Sequence, residues 1–377
     1  MGQPIQEVVP IMKTIRSLRT IPLLLACSLL LSSAYAANIK VIASTVPSNG
    51  DINPYGIAVV PTTVGSLTQG NILISNFNNS ANLQGTGTTI VQISPGGTVS
   101  QFAQIDSSKL PGPCPGGIGL TTALVVLKTG WVVVGSLPTT DGTSATARAG
   151  CLLVLDSHGN VAETFFGSLI NGPWDMTALD GGSIVSLFVT NVLNGTVAGG
   201  GNVVNHGTVL RMNLTIAKGA KPSLESMTVI GSGFSEKTDP AALVIGPTGV
   251  HLAPSGDSQD DEGITLYVAD SVNNRIAAIP NALHRDFSAG RGITVTKGGA
   301  LNDPLGLTVV PNGNIITVNG DDGFEVTTTP SGQQIGKVLL DSSGNPPGAG
   351  ALFGIAFVSG TGLYYVDDAT NTLNLAQ

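Results

Sequence analysis

Charge is what this chain has least of. Only 11% of its 377 residues are Asp, Glu, Lys or Arg. Helices that pack into bundles need such residues on their outer faces, so a mainly helical architecture is excluded. Positive charge is scarcer still: 16 Lys and Arg stand against 24 Asp and Glu, for a net charge of −8, and no basic cluster follows Arg19. The electrostatic footprint of a nucleic-acid binder is therefore missing. Beyond Leu31 no run approaches the ~18 apolar residues of a membrane span. The sequence also lacks His-Glu-x-x-His, Cys-x-x-Cys-His, a Walker loop and Gly-x-Ser-x-Gly, which sets aside the commonest zinc, haem, nucleotide and serine-hydrolase chemistries. What abounds is Gly (50) and Pro (22) beside a hydrophobic content of 42%. Many short strands joined by tight turns fit that mixture, with Ser, Thr, Asn and Gly making the exterior polar.

The first residues are a targeting segment. Lys13, Arg16 and Arg19 precede the apolar run Ile21 to Leu31, and Ala34-Tyr35-Ala36 places small residues where a signal peptidase cuts. Residues 1–36 are expected to be a signal peptide whose true start is Met12, leaving 37–377 as one exported domain, periplasmic or secreted. Leu24-Leu25-Ala26-Cys27 resembles a lipobox, but the apolar run before Cys27 is short, which disfavours lipid anchoring. Without the leader two cysteines remain, Cys114 and Cys151, and an oxidising compartment permits them to pair.

From residue 38 onward one grammar recurs six times. A turn with Asn or Asp, Pro and Gly leads into about five apolar residues, then a second turn, a second apolar strand and a polar ending. NPYGIAVVP (Asn53 to Pro61) leads to NILISNFNNS, and NDPLGLTVVPNG (Asn302 to Gly313) to NIITVNGDDG; the fourth unit ends in LYVADSVNNRI (Leu266 to Ile276). The anchors Gly56, Ala123, Asp175, Gly249, Gly306 and Gly354 recur at intervals of about 50 to 70 residues, the signature of four-stranded propeller blades. The sixth unit stops at Gln377 with three strands. Asn38 to Val46 stands before the first anchor at the spacing of a fourth strand, so it is expected to complete the last blade and leave no open edge. The expected fold is an all-β, six-bladed β-propeller. Cys114 and Cys151 then flank loops of one blade on one face, within reach of a disulfide.

The wording Pro-x-Gly, apolar strand, LYVAD-x-x-Asn-x-Arg-Ile resembles the NHL-repeat and gluconolactonase-like six-bladed propellers. Only the fourth unit, with Asp270, Asn273 and Arg275, reads the motif in full. The resemblance implies a fold whose members include binding modules, lactonases and lyases. Two polar columns are expected around the channel mouth. Asn53, Asn171, Asp239 and Asn302 lie in loops entering the innermost strands; Asn76, Ser136, Asn191, Asp270, Asn319 and Asp367 close the second strands, with Asp321, Asp322 and Asp368 beside them. These oxygens either cap turns or converge on Ca2+ or another divalent cation, for which Asn191, Asp270 and Asp367 are the candidates. A gluconolactonase-like enzyme carries a metal-ligating Glu in a Glu-Gly-Pro element of its first blade; Asn53-Pro54-Tyr55-Gly56 stands there instead. His251 replaces small residues (Ala58, Val125, Thr177, Thr308 and Ala356 in the other units) and is either a packing residue or a general base. Trp174 either fills a blade interface or lines the mouth. The expected function is binding of a small molecule, protein or glycan through the mouth face, at Asn76, Asn191, Asp270, Asn319, Asp367, Trp174 and His251. The alternative is a calcium- or zinc-dependent lactonase-like hydrolase or a lyase.

Overall fold

Runs of Val, Ile and Leu too short for helices, each ended by a Gly, Asn or Asp turn, fold into six antiparallel sheets. The computed structural model describes residues 1–2, 38–253 and 263–377. The expected signal peptide, with Cys27 and the expected cut before Ala37, and the acidic run Asp257, Asp260, Asp261 and Glu262 lie outside them. The sheets belong to the unit Ala34–Gln377. The chain opens with β1 (Ile39–Ser44). The first blade is then β2 (Ile52–Val59), β3 (Ile72–Asn78), β4 (Thr89–Ile93) and β5 (Val99–Gln104). The second is β6 (Leu120–Val126), β7 (Val132–Ser136), β8 (Cys151–Leu155) and β9 (Val161–Phe165). The third runs β10 (Pro173–Asp180), β11 (Ile184–Asn191), β12 (Val204–Thr215) and β13 (Ser223–Asp239), with a fifth strand, β14 (Leu243–Ile245), folded back on the end of β13. The fourth is β15 (Pro247–Ala253), β16 (Thr265–Asp270), β17 (Arg275–Ile279) and β18 (Ile293–Lys297). The fifth is β19 (Pro304–Val309), β20 (Ile315–Asn319), β21 (Phe324–Thr328) and β22 (Gln334–Leu339). The sixth takes β23 (Leu352–Val358), β24 (Gly362–Asp367) and β25 (Thr372–Ala376) from the C-terminus and closes on β1, Ile39 facing Ala376 and Ser44 facing Thr372. The N-terminal strand thus covers the edge that the last unit lacks a partner for.

Each blade is apolar on both faces because each face meets another blade. In β7, Val132 and Val134 pack towards the first blade while Val133 packs towards the third, the alternation a strand imposes. Five of the core clusters are each one such layer between neighbouring blades, and the sixth joins the last blade to the first and continues across the mouth. Every innermost strand carries a register shift at the same place, for example between Pro54 and Gly56 and between Pro304 and Leu307. The shift bends the strand beside the axis. There blade backbones come so close that a Cβ on Gly306 would run into the Phe353 carbonyl, and one on Gly354 into that of Tyr55. Hydroxyls stitch the ring: Ser75 Oγ accepts from Gly56 N (3.0 Å) and donates to Thr121 O of the next blade (2.7 Å). Thr190 Oγ1 does the same between Asp175 N (3.0 Å) and Thr248 O (2.8 Å). No helix among the described residues is long and apolar enough to cross a membrane.

Candidate functional site

The residues that close the second strands are buried and act mostly on turns. Asn191 Oδ1 accepts from Asn171 N (2.8 Å), and Asn319 Oδ1 from Asn302 N (3.1 Å), so each holds the loop entering its own blade. Asn76 Nδ2 donates to Thr45 O (3.1 Å), tying the first blade to the segment after β1. Asp367 accepts from Thr370 N (3.1 Å), and Ser136 bridges Gly119 N and Gly117 O. Asp270 differs in kind: it forms a buried ion pair with Arg275 (2.8 Å) and accepts from the Asn273 side chain (2.9 Å). The left-handed residue of that turn is Asn274, φ 48°, and its Oδ1 accepts from Asp303 N of the next blade. Asn191, Asp270 and Asp367 stand in three different blades with separate partners, and Asp270 is already neutralised by a guanidinium. Among the described residues no three His, Cys, Asp or Glu side chains gather as a metal site. Asn53, at the place of the expected metal-ligating Glu, turns its amide to donate to Asp368 (2.8 Å) and accept from Asn78 (3.0 Å). These residues do not fit a lactonase metal.

The mouth itself is covered by the chain. Tyr55 stacks between Phe77 and Phe353, with centroids 4.4 and 3.9 Å away, and with Trp174 and Leu305 forms an apolar layer across the axis. Over it folds the hairpin between β13 and β14. Tyr55 Oη donates to Ala241 O (3.3 Å), Trp174 Nε1 to Val244 O (3.1 Å) and Gln84 Nε2 to Pro240 O (2.9 Å), while Asp239 Oδ1 caps Ala241 N and Ala242 N. Leu243 sits at φ 62°, a costly angle for a branched side chain that these contacts sustain. Around the hairpin stand carboxyls crowded into little water. Burial first, and then Asp321 and Asp239, push Asp303 up to about 8; burial first, and then Asp367, push Asp368 up to about 7. Asp303 Oδ1 is buried without a protein partner.

Among the described residues two grooves flank this lid. One, of about 320 Å3, lies between the hairpin and the loop from Leu137 to Gly150, lined by Gln84, Thr143, Ser144, Thr238 and Asp239 among others. That loop is tethered at its base by the disulfide between Cys114 and Cys151, Cα atoms 5.1 Å apart. The other groove, of about 790 Å3, runs along the fifth blade between Asn302, Asp321, Asp322, Phe324, Leu339, Ser342 and Pro346-Pro347. Lys337 Nζ stands 3.7 Å from both the Phe324 ring centroid and Asp322.

Below the aromatic layer the axis is hollow. A cavity of about 320 Å3 is lined by all six innermost strands, including Ala58, Val125, Thr177, His251, Thr308 and Ala356, and it reaches Pro61, Lys128 and Asp180 at the opposite end. The structural equivalence read from the repeat therefore puts these six residues into one ring. His251 is not at the mouth; it lies deep in this cavity, its Nδ1 donating to Leu252 O (2.8 Å), and burial lowers its pKa. Asp175 shares the cavity. Its oxygens accept from Met176 N (2.8 Å) and Val250 N (3.0 Å), and burial outweighs those bonds, raising it to about 7. Both residues keep partial solvent contact despite their depth, as lumen-facing groups do. Asp175 was visible in the sequence only as an anchor that breaks a column of Gly and Ala, which was the signal for it.

No protein-family model matches the chain, and none of the curated proteins does. Solved structures do. A gluconolactonase from Xanthomonas campestris is 14% identical over 91% of this chain and 96% of its own, with a TM-score of 0.51. A calcium-binding regucalcin from Agrobacterium tumefaciens is 13% identical over 89% and 93%, with a TM-score of 0.55. Virginiamycin B lyase from Staphylococcus aureus is 13% identical over 90% and 98%, with a TM-score of 0.51. At such identities the likeness is one of fold.

Proposed function

We propose that this chain is an exported binding module that takes a small organic molecule, with an apolar body and hydrogen-bond-donating groups, on its mouth face. The observation that carries this reading is the 790 Å3 groove of the fifth blade, where Phe324, Leu339 and two prolines adjoin Asp321, Asp322 and Asn302. A mostly apolar concavity with a few convergent acceptors, one of them a carboxyl raised by burial and by Asp239, is the usual form of a ligand site. The expected mouth-face binding is thereby kept while its residues change. Asn76, Asn191, Asn319 and Asp367 position the loops, and Trp174 holds the hairpin.

The test is a ligand-observed NMR screen of hydroxylated and cationic aromatic fragments against the mature protein, repeated with Phe324→Ala. Hits should weaken at least about tenfold in that variant, a loss of ~1.4 kcal/mol. Hits that bind both proteins alike place the site elsewhere. A lactonase or lyase of the kind the three solved structures represent is the second reading, favoured by the shared fold and weakened by Asn53, by the Asp270–Arg275 pair and by the depth of His251. Turnover of gluconolactone by the purified protein, lost in Asp270→Ala, would reverse the order of the two.

A further inference from the structure

The axial cavity is independent of the mouth groove, and its chemistry is one-sided. On its wall Asp175 replaces what is Gly or Ala in the other five blades, so a carboxyl has been introduced where the fold asks for the smallest residues. One backbone N–H reaches each of its oxygens, Met176 N and Val250 N, and a carboxylate has lone pairs beyond those two. His251 must carry its proton on Nδ1, because the partner of that nitrogen is a carbonyl; Nε2 is therefore an acceptor. The walls between are apolar or carry Thr hydroxyls. Among the described residues the charged groups lining the lumen besides these are Lys128 and Asp180, and they are at the rim, occupied with each other: Lys128 N donates to Asp180 Oδ2 (2.5 Å) and Lys128 Nζ to Asp180 O (2.7 Å). The strands of the first, fifth and sixth blades bring no titratable side chain to the cavity.

We infer that the axial cavity is a binding site for a small primary ammonium ion, its charge on Asp175, its remaining N–H groups on His251 Nε2 and a Thr hydroxyl, and its short alkyl chain along the apolar wall. Among the described residues the one cation lining the lumen, Lys128, is held at the rim by the Asp180 carbonyl, so the acceptors inside suit a ligand that brings N–H donors and a positive charge. A volume of about 320 Å3 is at the lower end of ligand cavities and suits a compact molecule. The ammonium holds Asp175 ionised, so binding releases a proton at pH below the carboxyl's resting value. Affinity falls on acidification, by about tenfold per pH unit once Asp175 is protonated.

Calorimetric titration of the mature protein with n-butylammonium, and with n-butanol as the neutral isostere, tests this at pH 5.5 and pH 8. The expected result is saturable amine binding at pH 8, weakened at least about tenfold at pH 5.5, with no saturable binding of the alcohol. Asp175→Asn keeps an acceptor for Val250 N and removes the charge, so it should abolish the pH dependence and most of the affinity. Should that variant not fold, His251→Phe, which fills the lumen and leaves Asp175 in place, should lose binding too. Equal binding of amine and alcohol, undiminished binding in Asp175→Asn or His251→Phe, or no saturable amine binding up to tens of millimolar would each overturn the inference; the last would mean that the lumen holds only water. Fragment binding at Phe324 stands or falls separately.

Discussion

The two ends of the channel are built from the same six strands and have opposite characters. At the mouth end, the loops are long, the axis is roofed by Tyr55, Trp174 and Phe353, and a hairpin from the third blade lies on top. At the other end no described residue roofs the axis, and among the described residues the lumen is reached from solvent past Lys128 and Asp180. The difference comes from one blade. Four of the six anchors are Gly and a fifth is Ala; the third blade has Asp175, a long outer pair of 12 and 17 residues, and the extra strand β14. The same irregular blade therefore closes the mouth and places a carboxyl in the lumen below it. Regular repeats build the ring, and the departure from the repeat carries the chemistry.

The comparison presupposes a closed ring, and breaking the ring has the largest expected effect. A chain starting at Gly50 lacks β1 and exposes β25 as an open edge; it should aggregate or melt far below the mature protein in a thermal scan. An unchanged melting temperature would mean that β1 is dispensable. Next is the roof: Tyr55→Ala removes a fully buried ring stacked on both faces and should cost about 3 to 5 kcal/mol in urea unfolding, since little nearby can collapse into the space. A loss under about 1 kcal/mol would mean that the hairpin settles onto the gap and the roof is soft.

The loop beside the smaller groove comes third. Replacing Cys114 and Cys151 together by Ser opens a cross-link spanning 37 residues and should cost roughly 4 kcal/mol in the chain-entropy account. Mass spectrometry of unreduced, alkylated protein should first show both thiols blocked. The smallest effect is one of pH. Asp303 has its folded pKa, about 8, raised above the ordinary unfolded value near 4. A carboxyl raised in this way favours folding fully below about pH 4, and the advantage is lost as pH rises through 8. Asp303→Asn should therefore be about 1 to 3 kcal/mol more stable than the parent at pH 8.5 and no more stable at pH 5. Equal stability at pH 8.5 would mean that Oδ1 is satisfied by solvent.

The sequence made the ring legible because its cause is local: the Pro-x-Gly entry to each innermost strand and the spacing of turns are chain-near signals, and the lone first strand could be assigned by counting. The equivalence of Ala58, Val125, Thr177, His251, Thr308 and Ala356 was legible for the same reason, and it proved to be one ring around the lumen. The site was less legible. Asp270 reads as a backbone cap, and only the folded blade shows that Arg275 returns on the neighbouring strand to pair with it. The hairpin at Asp239 to Ile245 has no repeat to reveal it, since its partners Tyr55, Gln84 and Trp174 come from residues 70 or more away in the chain. Asp175 was legible as an oddity and illegible as a lumen group, because depth in a channel is a property of the closed ring.

The most direct test of the asymmetry between the two ends is the rate at which single engineered thiols react with a small methanethiosulfonate reagent. In a chain begun at Ala37, which leaves out Cys27, the two remaining native cysteines are paired and do not compete. Thr177→Cys, in the lumen, should react within minutes, while Thr121→Cys, under the roof at 3% exposure, should react orders of magnitude more slowly. Equal rates at the two positions would contradict a channel closed at its mouth and open at its other end.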